Sequence, residues 1–222
     1  MRLDKYLAEM GVGTRQEVKK QIRQGKVTVN GTVVKAADTK IDETCDEVTI
    51  GGRNISYVSY EYYMLNKPGG VVSATEDRRD TTVIDLIKDK KRKDLFPVGR
   101  LDKDTEGLLL ITNDGDLAHR LLAPKKHVDK VYYAKIDGMV TEEDVKRFAE
   151  GIDIGAEEEE MTRPAKLDIM KSAEESEIRL TIHEGKFHQV KRMFHAVGKE
   201  VIYLKRLSMG TLLLDETLKS GE

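Results

Sequence analysis

At 222 residues, with 39% hydrophobic and 35% charged residues, the chain is long enough for one medium domain with a real core plus a small one. No apolar run approaches the length of a membrane span, and residues 1–6 carry no apolar signal-peptide core, so no membrane partner is expected. The single cysteine, Cys45, excludes an internal disulfide framework and, with those features, points to the cytoplasm. The formal net charge of −2 averages two opposite fields. Residues 14–26 carry Arg15, Lys19, Lys20, Arg23 and Lys26 against Glu17, a net of +4, whereas residues 142–160 carry nine acids against two cations. A basic patch of that density keeps a polyanionic partner in play despite the acidic total.

In chain order, Leu3, Tyr6, Leu7 and Met10 follow helical spacing, and Gly11 and Gly13 stop that helix. Thr14 and Glu17 spell a capping box for a second helix, which Gly25 closes. Val27 and Val29 then alternate with polar residues up to Asn30-Gly31, a tight-hairpin signal because both residues tolerate positive φ. Val48 and Ile50 mark a further strand. Residues 51–60, with Gly51-Gly52 and little periodicity, read as a linker between a first domain at 1–55 and a second at 60–222. Beyond it, strands are predicted at 61–66, 107–112, 130–137, 165–170, 177–183 and 210–214, and helices at 81–88, 115–122, 141–150 and 187–197. Thr141 with Glu142, Glu143 and Asp144 suits a helix N-terminus, and Glu157 to Glu160 read as a solvated loop. The order predicts an α+β fold with a mostly antiparallel sheet.

The densest feature is Gly99-Arg100-Leu101-Asp102-Lys103-Asp104-Thr105-Glu106-Gly107, a polar turn followed by the apolar run Leu108-Leu109-Leu110. It can hold a carboxylate at the mouth of a buried strand. As a calcium loop it fails, because the twelfth position from Asp102 is Asn113 and not glutamate. His183, His188 and His195 do not make a metal site either. The latter two lie about 10 Å apart along a helix, so they read as structural or as facing the polyanionic partner. No metal and no cofactor is expected.

Within the first domain, Arg2-Leu3-Asp4-Lys5-Tyr6-Leu7 and Gly25-Lys26-Val27-Thr28-Val29-Asn30-Gly31 resemble the S4 RNA-binding module. That resemblance implies that Arg15, Lys19, Lys20 and Arg23 contact RNA phosphates, which position a protein without reading sequence. Four further segments occur in order: Asn66-Lys67-Pro68-Gly69-Gly70, the Asp102 turn, Lys130-Val131-Tyr132, and Glu184-Gly185-Lys186-Phe187-His188-Gln189-Val190-Lys191-Arg192-Met193-Phe194. Together they resemble the pseudouridine synthases, in the branch that acts on ribosomal RNA and carries an S4 head, with the small-subunit (16S) enzymes nearest.

The resemblance implies an isomerase that breaks the N-glycosidic bond of a uridine, rotates the base and rejoins it through carbon. It assigns Asp102 as the catalytic aspartate, acting either on the ribose or through elimination and proton transfer. It assigns Tyr132 as the aromatic that stacks on the target base. A cation from the last segment balances Asp102, with Lys191 at the matching position and Arg192 as its competitor, and Arg192 is also expected among the RNA-binding residues. On the helix, Val190, Met193, Phe194 and Val197 make the buried stripe, Arg192 falls opposite and Lys191 lies on the flank, which favours Lys191. Arg100 is placed to hold a phosphate or fill the space left by the flipped base, or else to pair with Asp104 or Glu106. Lys67 is expected at the floor of the pocket and among the RNA-binding residues, and Thr105 and Gly107 are expected to hold the turn. The expected partner is ribosomal RNA or a partly assembled small subunit, met by a monomer. The alternatives are a large-subunit synthase, or a non-catalytic RNA-binding assembly factor that would not need the Asp102 constellation. The short linker and Lys191 lean towards the small subunit.

Overall fold

Thr14 caps its helix as its spacing predicts: its hydroxyl accepts the Glu17 N–H, and the Glu17 carboxylate accepts the Thr14 N–H at 2.7 Å. In the computed structural model, which describes residues 1–123, 127–155, 158 and 160–222, the chain forms two units. The first comprises Met1–Tyr62 and Ile87–Leu95, the second Tyr63–Leu86 and Phe96–Glu222.

In the first unit, α1 (Leu3–Glu9) and α2 (Arg15–Arg23) pack on a four-stranded sheet ordered β2-β1-β3-β4. Its strands are β1 (Val27–Val29), β2 (Thr32–Val33), β3 (Val48–Ile50) and β4 (Arg53–Ile55). Leu3, Tyr6, Leu7, Val18, Ile22, Val27 and Val48 are its buried core. Asn30 at φ +50° and Gly31 at φ +76° make the tight turn between β1 and β2.

Two expectations from the sequence are corrected here. Gly51 and Gly52 are a hairpin turn, because Arg53–Ile55 folds back in register on Val48–Ile50. Beyond β4, Tyr57 still belongs to this unit, its ring stacked on Tyr6 at 5.2 Å. The second correction is that residues 87–95, assigned to the second domain, join the first unit. Buried Arg92 ties them there, bonding Asp94, Glu9 and the Tyr57 hydroxyl.

The second unit is built on an eight-stranded mixed sheet ordered β5-β7-β11-β8-β10-β9, with β6 added to β7 and β12 to β11. These strands are β5 (Tyr62–Lys67), β6 (Phe96–Pro97), β7 (Glu106–Thr112), β8 (Lys130–Asp137), β9 (Lys166–Lys171), β10 (Glu175–Ile182), β11 (Glu200–Met209) and β12 (Leu212–Leu213). Helices α3 (Gly115–Leu122), α4 (Glu142–Glu150) and α5 (Gln189–Ala196) complete it. The fold is α+β. The β8–β10, β9–β10 and β8–β11 pairs are antiparallel and β7–β11 is parallel.

No helix forms at 81–88. Thr82 bonds Asp85 in a single capped turn, while Val72 N–H donates to Thr81 O and Val83 N–H to Val72 O. Those bridges take the backbone away from a helical ladder, and buried β-branched Val83 and Ile84 suit them. Of the expected acidic loop, Glu157 and Glu159 lie outside the described residues, and Glu160 is not simply solvated, since it pairs with Arg192 and with Lys186 at 3.3 Å. No helix among the described residues is long and apolar enough to cross a membrane.

Candidate active site

The polar turn closes with Thr105 N–H donating to Asp102 O at 3.1 Å, which sets Asp102 at the entrance to β7. Three neighbours fix that turn from below. Ser73 Oγ donates to Leu101 O at 2.8 Å and accepts its N–H at 3.1 Å. Gly70 N–H donates to Lys103 O at 2.8 Å. Lys67, at 0% exposure, sends its ammonium to the carbonyls of Pro68, Lys103 and Thr105 at 3.0, 3.2 and 2.8 Å. Burial pulls the Lys67 ammonium down to about 8, with Asp104, Glu106 and Asp102 opposing. Lys67 therefore cannot be the direct RNA contact that the sequence suggests; its donors are spent on the main chain beneath the turn.

Gly107 follows at φ +97°, and a Cβ there would stand 2.3 Å from Arg206 O on β11. Only glycine lets the two parallel strands approach this closely. Glycine at 107 thus holds the geometry behind Asp102.

The carboxylate of Asp102 meets α5. Lys191 Nζ stands 3.2 Å from Asp102 Oδ2 and 2.6 Å from Asp104 Oδ1. Burial works against the charge on Lys191, but its bonds to Asp104 and Asp102 outweigh that, and its pKa is raised. The Lys191 hydrogen bond in turn holds Asp104 below the usual carboxylate range. Arg192 is elsewhere: its guanidinium bonds Ile154 O, Phe187 O and Glu160. Neither the countercharge role nor the RNA contact suggested for Arg192 fits that placement, which makes it a brace for the segment ahead of α5.

Tyr132 and Tyr133 point to opposite faces of β8, as strand alternation requires. Tyr132 is 7% exposed, lies in register between Leu180 and Arg206, and lines the cleft with Asp102, Thr105, His188 and Lys191. Tyr133 donates instead to Glu177 at 2.7 Å and meets Tyr203 edge-on. Arg100 is exposed at the cleft. The alternative partners considered for it are occupied, Asp104 by Lys191 and Glu106 by Tyr203 at 2.8 Å.

Three residues at or behind this cleft hold contacts that the sequence does not specify. His188 Nε2 lies 3.5 Å from Asp102 Oδ1, and its backbone is left-handed at φ +48°. Asp104 shares Lys191 with Asp102. Arg206, 2% exposed, donates from Nε to Leu108 O at 2.8 Å behind Tyr132, while its Nη2 has no partner among the described residues. In the first unit, Asp4 is the hub of the basic patch. It is 1% exposed, bonds Arg2 at 3.1 Å and lies 4.0 Å from Arg15 and 3.8 Å from Lys19. Lys20 and Arg23 are exposed on α2.

An exposed basic helix and a carboxylate–ammonium pair beside a buried tyrosine together fit an enzyme that works on RNA. The S4 domain matches residues 1–48 and the RNA pseudouridylate synthase family matches residues 61–196. The chain belongs to that family and is an RNA pseudouridine synthase.

Among its relatives is the uncharacterized RNA pseudouridine synthase YtzG of Bacillus subtilis (strain 168), 50% identical over all of this chain and 93% of the relative. The ribosomal small subunit pseudouridine synthase A of Vibrio vulnificus (strain CMCP6) is 42% identical over 100% of this chain and 94% of its own length. The ribosomal large subunit pseudouridine synthase B of Bacillus subtilis (strain 168) is also 42% identical, over 92% and 84%. A solved pseudouridylate synthase structure superposes at TM-score 0.68 with 39% identity, covering 100% of this chain and 94% of that one.

Proposed function

We propose that the protein isomerises one uridine of small-subunit (16S) ribosomal RNA, free or in a partly assembled particle, acting as a monomer in the cytoplasm. The observation that carries the choice of subunit is how much of this chain each relative matches. The small-subunit relative matches 100% of it, the large-subunit one 92%. Lysine at position 191 leans the same way.

The target base leaves its stack at a cost of a few kcal/mol and enters the cleft. Tyr132 offers its ring to the uracil, and the Asp102 carboxylate acts at the nucleotide with Lys191 as its countercharge. The N1–C1′ bond breaks, the base turns, and C5–C1′ forms as the C5 proton departs and N1 takes one up, so the change is an isomerisation without net redox. Arg100, exposed at the same cleft, holds a neighbouring phosphate or fills the vacated stack. Arg15, Lys19, Lys20 and Arg23 grip the RNA backbone.

Mapping pseudouridines in both ribosomal RNAs, from cells with and without the protein, tests the assignment. One small-subunit position is expected to revert to uridine. Loss of a large-subunit position instead, or of none, overturns it.

The basic patch gives a second expectation. Replacing Lys19 and Arg23 with alanine together should lower RNA affinity. It should also reduce the slope of log K against log salt by about 1 for each phosphate that is no longer neutralised. An unchanged slope in a salt titration would remove these two residues from the interface.

A further inference from the structure

Phe187 is 72% exposed, lying between Lys186 and His188, both of which line the catalytic cleft. Single exposed apolar side chains are ordinary on protein surfaces, but this one is held unlike a surface straggler. Its ring lies flat on the His188 imidazole, with centroids 3.8 Å apart and planes 20° apart. The main chain beneath it is fixed. Gln189 Oε1 accepts the Lys186 N–H at 2.9 Å, Gln189 N–H donates to Lys186 O at 3.2 Å, and Arg192 Nη1 donates to Phe187 O at 3.2 Å. His188 takes its place in that turn through a left-handed backbone at φ +48°, and its ring edge faces Asp102. One ring face is therefore covered by the imidazole, and the side chain stands in solvent at the rim of the cleft.

We propose that Phe187 is a second base platform, on which the nucleobase next to the target uridine stacks. The stack would then run His188, Phe187, base, starting beside the catalytic carboxylate. An unpaired base beside a flipped nucleotide has lost a stacking neighbour, and a rigidly presented aromatic replaces it without first having to be ordered. Stacking of this kind tolerates any base, so the platform would hold the RNA in register without choosing sequence.

The inference rests on the target uridine reacting at Asp102. It is tested on whichever ribosomal RNA transcript the protein modifies, so a large-subunit substrate would refute the assigned subunit and leave this test intact. Phe187→Ala and Phe187→Leu should each raise KM about tenfold with kcat little changed. Phe187→Tyr and Phe187→Trp should stay near wild type. An abasic nucleotide on one side of the target should weaken the wild type by a similar factor and leave Phe187→Ala unaffected further.

The chain has no tryptophan, so Phe187→Trp in an Asp102→Asn background supplies one fluorophore, which bound RNA should quench. Phe187→Ala behaving as wild type, Leu rescuing as well as Tyr, or an unquenched tryptophan in saturating RNA would overturn the proposal.

Discussion

Asp102→Asn is expected to lower the isomerisation rate on the order of 10⁴-fold, the scale on which removal of a reacting group acts, with RNA affinity unchanged within a factor of about two. Asparagine keeps the size and much of the hydrogen bonding of aspartate but carries no charge. What it removes is the carboxylate that faces Lys191 at 3.2 Å and His188 at 3.5 Å. The turn should survive, because its fixings to Ser73, Gly70 and Lys67 involve the main chain and not the Asp102 carboxylate. Lys191 also keeps Asp104 at 2.6 Å, so the ammonium is not stranded. The Asp102–Lys191 pair is part-exposed and is worth at most about 1 kcal/mol to stability. Release of tritium from C5-labelled uridine in RNA reads the rate, and a filter assay reads the affinity. A variant keeping more than a tenth of the wild-type rate would remove Asp102 from the chemistry.

The elements that are legible in the sequence are those whose signal is local. The Thr14–Glu17 capping box, the Asn30-Gly31 turn and the stripe of Val190, Met193 and Phe194 each declare themselves within a few residues, and each is found. The ten-residue strand β11 is not legible, although it joins β7 to β8 at the middle of the sheet. Its polarity is mixed: Arg206 and Ser208 face inward with Leu204, at 2%, 4% and 6% exposure, while Ile202, beside a register shift, is 53% exposed. An alternation read as apolar-in fails on such a strand, because a buried arginine is tolerated only through partners supplied by distant segments, here Leu108 O. The cleft follows the same division. Asp102, Tyr132 and Lys191 are named by ordered motifs, whereas His188 reaches the carboxylate through one left-handed residue. Asp104 grips Lys191 only because α5 packs where it does. Neither relation has a spacing to betray it.

The same logic makes Lys67 the site of the second large effect. Lys67→Met should cost about 2–3 kcal/mol of stability and about 10²-fold in kcat. The side chain stays apolar and of similar length, but the carbonyls of Pro68 and Thr105 lose the Lys67 donor, while Lys103 O keeps the Gly70 N–H. Each buried acceptor left without a partner costs about 1–3 kcal/mol, and relief of a buried charge offsets part of the sum. The rate falls because Lys103 and Thr105 flank Asp104 in the turn that carries Asp102, and a shift of about 1 Å at a reacting group costs about 10²-fold.

The pH dependence separates this role from simple packing. The Lys67 pKa is about 8 in the folded protein against an ordinary 10.5. Below pH 8 the native state carries the full penalty of the buried charge. Between about 8 and 10.5 the unfolded chain holds a proton that the native state has released, so rising pH relieves that penalty and this part of the stability increases. Activity should move the other way through the start of that window, because a neutral amine has two donors for three carbonyls and the turn loosens. Denaturant titrations and initial rates from pH 7 to about 10.5 would show both trends weakened in Lys67→Met, with the part of the stability rise that comes from buried Lys130 remaining in both proteins. If the methionine variant turned over at the wild-type rate, the brace beneath Asp102 would have no part in holding it.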